Sequence, residues 1–151
     1  MDEIRYSAAA EDDLPFIMET YHANLEALHG TYRGYAVWKK LLSDENAAYY
    51  VVFKAAPVAW FRIDREADGL WLGMLQVSPR YHRQGIGRYV LSVAEDIARA
   101  QGASKIGIHT TEDNAPAKAL YQSAGYSVTE YGPCTTADGA ERMGYTFEKS
   151  L

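Results

Sequence analysis

A single cysteine, Cys134, stands in a chain of 151 residues, so no intrachain disulfide can brace the fold. Stability must come from burial, and a reducing compartment is the expectation that goes with so little cysteine. No uninterrupted apolar run reaches membrane length. The first residues, Met1-Asp2-Glu3-Ile4-Arg5, lack the apolar core of a secretory signal. A soluble, cytoplasmic protein without a membrane partner is expected. Positive charge is also short, with 15 Lys and Arg against 20 Asp and Glu and a formal net charge of −5. General nucleic-acid binders show a basic face, so nucleic acid is not an expected partner. Internal repeats, low-complexity tracts and interdomain linkers are missing as well. With 48% hydrophobic and 23% charged residues, the composition is globular, and residues 1–151 are expected to form a single domain.

The elements follow from periodicity. Ile4 and Tyr6 alternate as a short first strand. Acids Glu11 to Asp13 and Pro15 open a helix carrying Leu14, Ile17, Tyr21, Leu25 and Leu28 at helical spacing. A second helix spans 35–42. Three β-rich runs, 49–53, 58–63 and 70–77, are separated by short turns, the last of them Asp64 to Gly69, and read as an antiparallel meander. A helix opens at Gly85 and stops near Gln101-Gly102. The strand at Ile106 and Ile108 must run parallel to the one before that helix. The cap-rich turn 110–114, with Asp113 at the cap position, leads to a helix ending at Gly125. Tyr126 and Val128 begin a strand, 133–141 reads as a polar loop, and Met143, Tyr145 and Phe147 alternate in the last strand. The class is mixed α/β, a mostly antiparallel sheet of about seven strands flanked by four helices.

Basic side chains are concentrated between Val77 and Arg88, where Arg80, His82, Arg83 and Arg88 accompany Gly85 and Gly87. Strand, glycine-bearing loop and helix start together make an anion site, because the first helical amides have no intrahelical partner and the dipole favours negative charge. Two phosphate loops are excluded. No Gly-x-x-x-x-Gly-Lys-Ser/Thr string exists, and Val90 stands where a dinucleotide fingerprint needs its third glycine.

One strand downstream lies a second stretch, Asn114 to Tyr126. The two stretches together resemble the GNAT-type N-acetyltransferase superfamily. Its Gln/Arg-x-x-Gly-x-Gly/Ala motif falls on His82-Arg83-Gln84-Gly85-Ile86-Gly87. Its Asn-x-x-Ala-x-x-x-Tyr motif with a following Gly-Phe/Tyr pair falls on Asn114, Ala117, Tyr121 and Gly125-Tyr126. The order of elements agrees along nearly the whole chain. His82 departs from the usual Gln or Arg, which would make a charged contact from that position depend on pH.

The resemblance implies acetyl-CoA as co-substrate and no metal. Amides from Arg83 to Arg88 would hold the pyrophosphate, with Arg80, Arg83 or Arg88 reaching the ribose phosphate. The backbone of Leu75, Gln76 and Val77 would pair with the pantetheine arm, and an amide there would polarise the thioester carbonyl. Tyr121 would supply a proton to the leaving thiolate while a primary amine attacks directly. The acceptor groove would be built from the first two helices and their linker, with Tyr21, Glu26 and Trp38, and from the segment before the last strand. The acceptor is a small-molecule or peptide amine, and a homodimer is an arrangement common among such proteins. The strand 70–77 offers no carboxylate or histidine as base; Glu19, His22, Glu26, His29, His109, Glu112 and Asp113 are the remaining candidates. Cys134 reads as an ordinary free thiol. A non-catalytic acyl-CoA sensor is the alternative from another class, and a nucleotide-binding regulatory domain is a third.

Overall fold

The computed structural model describes residues 3–67 and 69–151. Met1 and Asp2, read above for a signal, and Asp68 of the expected turn lie outside the described residues. Seven strands make one sheet: β1 (Ile4–Ala8), β2 (Ala47–Lys54), β3 (Ala56–Glu66), β4 (Gly69–Val77), β5 (Lys105–Thr111), β6 (Ser127–Thr135) and β7 (Glu141–Ser150). Their spatial order is β1-β2-β3-β4-β5-β7-β6. The helices are α1 (Leu14–Ala23), α2 (Leu25–Leu28), α3 (Tyr35–Leu42), α4 (Ile86–Ala100) and α5 (Ala115–Ser123). Among the described residues only β4 and β5 pair in parallel, as a strand–helix–strand unit requires. The mixed, mostly antiparallel class agrees with the sequence reading.

Each face of the sheet buries its own apolar set. Val52, Phe61, Ile63 and Ile106 meet Val90, Leu91, Ala94 and Ala98 of α4 and Phe147 of β7. Tyr49, Val51 and Trp60 meet Leu14, Ile17 and Tyr21 of α1 and Trp38 of α3. A fully buried Val, Leu or Phe is worth about 1.5–3 kcal/mol, so the sheet is clamped from both sides. Inside the first core, Glu95 of α4 accepts hydrogen bonds from Tyr126 Oη at 3.1 Å and Lys149 Nζ at 2.9 Å. That network fixes α4 against β7 and the end of α5.

Three expectations are corrected. The helix expected from Leu14 to Leu28 is two helices, giving five among the described residues, because Asn24 interrupts it with φ −102° and ψ 11°. Its Nδ2 leaves the helix surface to donate to Gln76 Oε1 (3.1 Å) and the Val77 carbonyl (3.0 Å) on β4. The cap of α5 is Asn114, whose side chain accepts from the Ala117 amide at 3.3 Å, not Asp113. Finally, Pro133 to Thr135 belong to β6 rather than to a loop. The strand is an edge of the sheet, where a proline leaves no ladder donor missing.

The feature that matters for function is where β4 and β5 separate. They pair at Leu70/Ile106, Trp71/Gly107 and Leu72/Ile108, and nowhere beyond, although β4 continues to Val77 and β5 to Thr111. The separation coincides with a bulge: Ile63 faces Leu72 and Arg62 faces Met74, so Gly73 is the extra residue. A bulge bends its strand and increases the local twist. A Cβ there would run into the Asp64 carboxylate and lie 2.7 Å from Arg62 Nη2, so the Arg62–Asp64 pair would have to shift to admit a side chain.

Candidate active site

The loop after β4 begins with the turn Pro79–Tyr81, closed by the Tyr81 amide donating to the Ser78 carbonyl at 2.8 Å. His82 Nε2–H donates to the Val77 carbonyl at 2.9 Å, tying the loop back to the strand end. Arg83 and Gly85 then adopt left-handed φ values of 61° and 81°. For Arg83 this is a strained conformation. Alternation of right- and left-handed residues turns successive N–H groups toward one point, an anion-binding concavity. No acceptor among the described residues takes the amides of Arg83 to Arg88, while the next amide, Tyr89, bonds to Gly85 O at 3.1 Å. Arg88 reaches across to Ser123 Oγ at 2.6 Å, and the Arg80 guanidinium lies 5.7 Å from the Tyr81 ring centre. Gly87 allows α4 to approach α5 closely, since a Cβ would stand 2.9 Å from Leu120 Cδ2.

This loop forms one end of a cavity of about 1150 Å³ that runs through the opening between β4 and β5. Leu75, Gln76, Val77, His82, Arg83, Gly85, Ile86, Gly87, Arg88, Asn114, Ala117 and Tyr121 all line it; of the residues expected from sequence to hold the cofactor, Arg80 and Gln84 stand off the wall. Tyr121 is 7% exposed, packed edge-on to Phe147 at 5.6 Å, and burial pushes its phenol up to about 12. The hydroxyl has no hydrogen-bond partner among the described residues.

The remaining candidates separate into those on the wall and those off it. Glu19 and Glu26 are exposed and off the cavity wall, so Glu26 does not face the opening as expected. Tyr21 and Trp38 are buried at 1% exposure beneath the Arg33 guanidinium, 5.1 and 5.5 Å from their ring centres; they are core residues, not groove residues. His22 stacks on Tyr32 at 4.7 Å and accepts from the Arg33 amide. Glu112 accepts from Tyr131 Oη at 2.5 Å. His29 and Asp113 bind each other. His109 does line the cavity. Cys134 is an exposed free thiol on the same wall.

Sequence reasoning missed Asn24, which holds β4 to α1, and the Gly73 bulge. An interior glycine in the apolar run Leu70–Val77 is the signal that would have found the latter. Asn24 gave no signal, because its partners lie far along the chain. Among the described residues, no group of three His, Cys, Asp or Glu is arranged to hold a metal ion.

A family model for the acetyltransferase (GNAT) family matches residues 14–126, from the start of α1 to just past the end of α5, and the chain belongs to that family. Mycothiol acetyltransferase of Beutenbergia cavernae is 31% identical over 68 residues, which cover 45% of this chain but 23% of that protein. The matched stretch spans less than a quarter of that relative's length. Among solved structures, the spermidine N-acetyltransferase of Vibrio cholerae in complex with CoA and spermine superposes with a TM-score of 0.83 at 16% identity, over 97% of this chain and 95% of that one. The ribosomal-protein-S18-alanine N-acetyltransferase of Escherichia coli gives 0.78 at 21% identity, over 99% and 94%. At these identities the two structures establish the shared fold.

Proposed function

We propose that the chain transfers an acetyl group from acetyl-CoA to a primary amine by direct attack within a ternary complex. One observation carries the reading. The stretch of β4 that has parted from β5 shares one cavity with a loop of free amides and the unpartnered hydroxyl of Tyr121. Coenzyme A fits such a site: its pyrophosphate matches the amide loop, and its extended pantetheine arm matches an open strand edge.

In this reading the Arg83–Arg88 amides hold the pyrophosphate, and Arg80, Arg83 and Arg88 supply positive charge around it. His82 braces the loop against Val77. The backbone of Leu75, Gln76 and Val77 pairs with the arm, and an amide of that edge polarises the thioester carbonyl in a site shielded from water, where such a donor is most effective. Asn114 and Ala117 shape the start of α5 so that Tyr121 points at the leaving sulfur. Burial keeps the phenol protonated at neutral pH, so Tyr121 donates a hydrogen bond to the developing thiolate. The acceptor is a small-molecule or peptide amine. Against this, β4 carries no carboxylate or histidine, which favours a non-catalytic acyl-CoA sensor as the second reading.

Titration calorimetry with acetyl-CoA, ATP and NAD, followed by thiol release with a panel of amines, tests the proposal. Tight binding of acetyl-CoA alone with amine-dependent thiol release is expected. Binding of ATP or NAD in preference would remove the coenzyme A assignment.

A further inference from the structure

We propose that His109 is the proton acceptor for the incoming amine, working through Nε2; this rests on the transferase reading above. A base is needed because an alkylamine with a lysine-like pKa is neutral in roughly one molecule in a few thousand at pH 7, and β4 has no side chain for the task.

The position follows from the register. β4 and β5 part company after Leu72/Ile108, so His109 is the first β5 residue beyond the fork. Ile106 and Ile108 point into the α4 core. Alternation therefore places His109 on the opposite face, the face on which Asn24 meets Gln76 and the amine has room to approach. The histidine lines the cavity.

Its ring is held in two ways. It stacks on Trp71 with centroids 4.6 Å apart and planes 7° from parallel. Trp71 itself lies flat on Gly107, where a Cβ would come within 2.6 Å of Cε3. Nδ1 is 3.1 Å from Thr146 Oγ1, and Thr146 is the cross-strand partner of His109. When Nδ1–H donates to that hydroxyl, Nε2 presents a lone pair, and no group among the described residues engages it. An oriented imidazole with one nitrogen committed and the other free at a cavity wall has the arrangement of a general base. Glu130 also lines the cavity and also faces Thr146, but it stands on β6, two strands away from the fork.

The proton and electron accounting closes. His109 Nε2 takes one proton from the ammonium and gives it up to solvent at the open face. The amine lone pair forms the C–N bond, the C–S bond breaks with its electrons going to sulfur, and the second amine proton reaches sulfur by way of Tyr121. The charged groups around His109 are Lys105 and Glu148, paired with each other at 2.8 Å, Glu130 on β6, and the Arg62–Asp64 pair of β3 at 2.9 Å.

The experiment compares pH profiles of kcat/KM for the amine, by thiol release, in wild type, His109→Gln, Thr146→Val and Glu130→Gln. For His109→Gln we expect a loss of about 30-fold or more at pH 7, with acetyl-CoA affinity within about twofold. The deficit should shrink as pH rises, because the amine then arrives neutral from solution. A loss below about threefold, or one equal at every pH, overturns the proposal while leaving the transferase reading intact. So does disappearance of the acid limb in Glu130→Gln. Should His109→Gln fail to fold, Thr146→Val decides: a loss of about threefold or more with a displaced acid limb supports the assignment, and a profile superimposable on wild type overturns it. A wild-type protein that binds acetyl-CoA but releases no thiol with any amine fails at the earlier step, and removes the role of His109 with it.

Discussion

His29 Nε2–H donates to Asp113 Oδ2 at 2.7 Å, joining the loop after α2 to the turn before α5. The His29 carbonyl at the same time accepts from the Asp138 amide in the β6–β7 connection, at 3.1 Å. Three segments distant in sequence thus meet at one residue, whose own φ is a left-handed 52°. The neighbours Leu28, Thr111 and Asn114 line the cavity, so the pair stands at its rim. A Thr111 side-chain hydrogen bond and then the bond from His29 hold the Asp113 carboxyl below its ordinary range.

Because Asp113 is half exposed, with 53% of its side chain accessible, the pair contributes less than about 1 kcal/mol to stability. Its effect should fall on binding. Asp113→Asn is expected to leave the urea midpoint nearly unchanged while raising KM for the amine more than KM for acetyl-CoA. Equal changes in both constants would mean that the rim pair does not border the acceptor.

Tyr121 makes a prediction at alkaline pH. Its folded pKa, about 12, lies above the ordinary value of 10, so the stabilisation from burying the neutral phenol is complete below about pH 10 and lost as pH rises through 12. The loss is about 2–3 kcal/mol for a shift of this size. Tyr121→Phe has no proton to lose, so the stability of wild type relative to it should fall between pH 10 and 12 in urea unfolding curves. A difference constant across that window would show the hydroxyl to be solvated.

A methyl group at Gly73 is expected to disturb the fork through the Arg62–Asp64 pair. Gly73→Ala must displace the Arg62–Asp64 pair, and overpacking of this kind costs about 1–3 kcal/mol. Since the bulge coincides with the fork, acetyl-CoA affinity should fall as well. A variant with native stability and native affinity would detach the bulge from the site.

Much of this was legible in the chain. The antiparallel meander, the parallel β4/β5 pair and the glycine-bearing loop follow from short turns, from Pro79, Gly85 and Gly87 and from an uninterrupted helical stripe, all of them local patterns; that β7 lies between β5 and β6 was not among them. The misreadings have a common cause. Asn24 breaks a helix whose apolar spacing continues to Leu28, because its amide finds acceptors on Gln76 and Val77, which local pattern does not contain. Asp113 and Asn114 are adjacent residues of equal capping propensity, and a histidine far upstream in the chain decides between them. Pro133 looks like a loop residue until β6 is known to be an edge. The aromatic residues Tyr21 and Trp38 resemble groove residues in a list, yet a cation stacked above them marks the top of a core.

The central claim is that the amide loop, the open edge of β4 and Tyr121 work together as an acetyl-transfer site. The most direct measurement is amine-dependent thiol release at saturating acetyl-CoA, run on wild type and Tyr121→Phe side by side with mass measurement of the product. Wild type should release thiol in step with an amine heavier by one acetyl group. Tyr121→Phe should bind acetyl-CoA normally and turn over at least about tenfold more slowly. Equal turnover by the two proteins, or acetyl-CoA bound tightly with no thiol released for any amine, would contradict it.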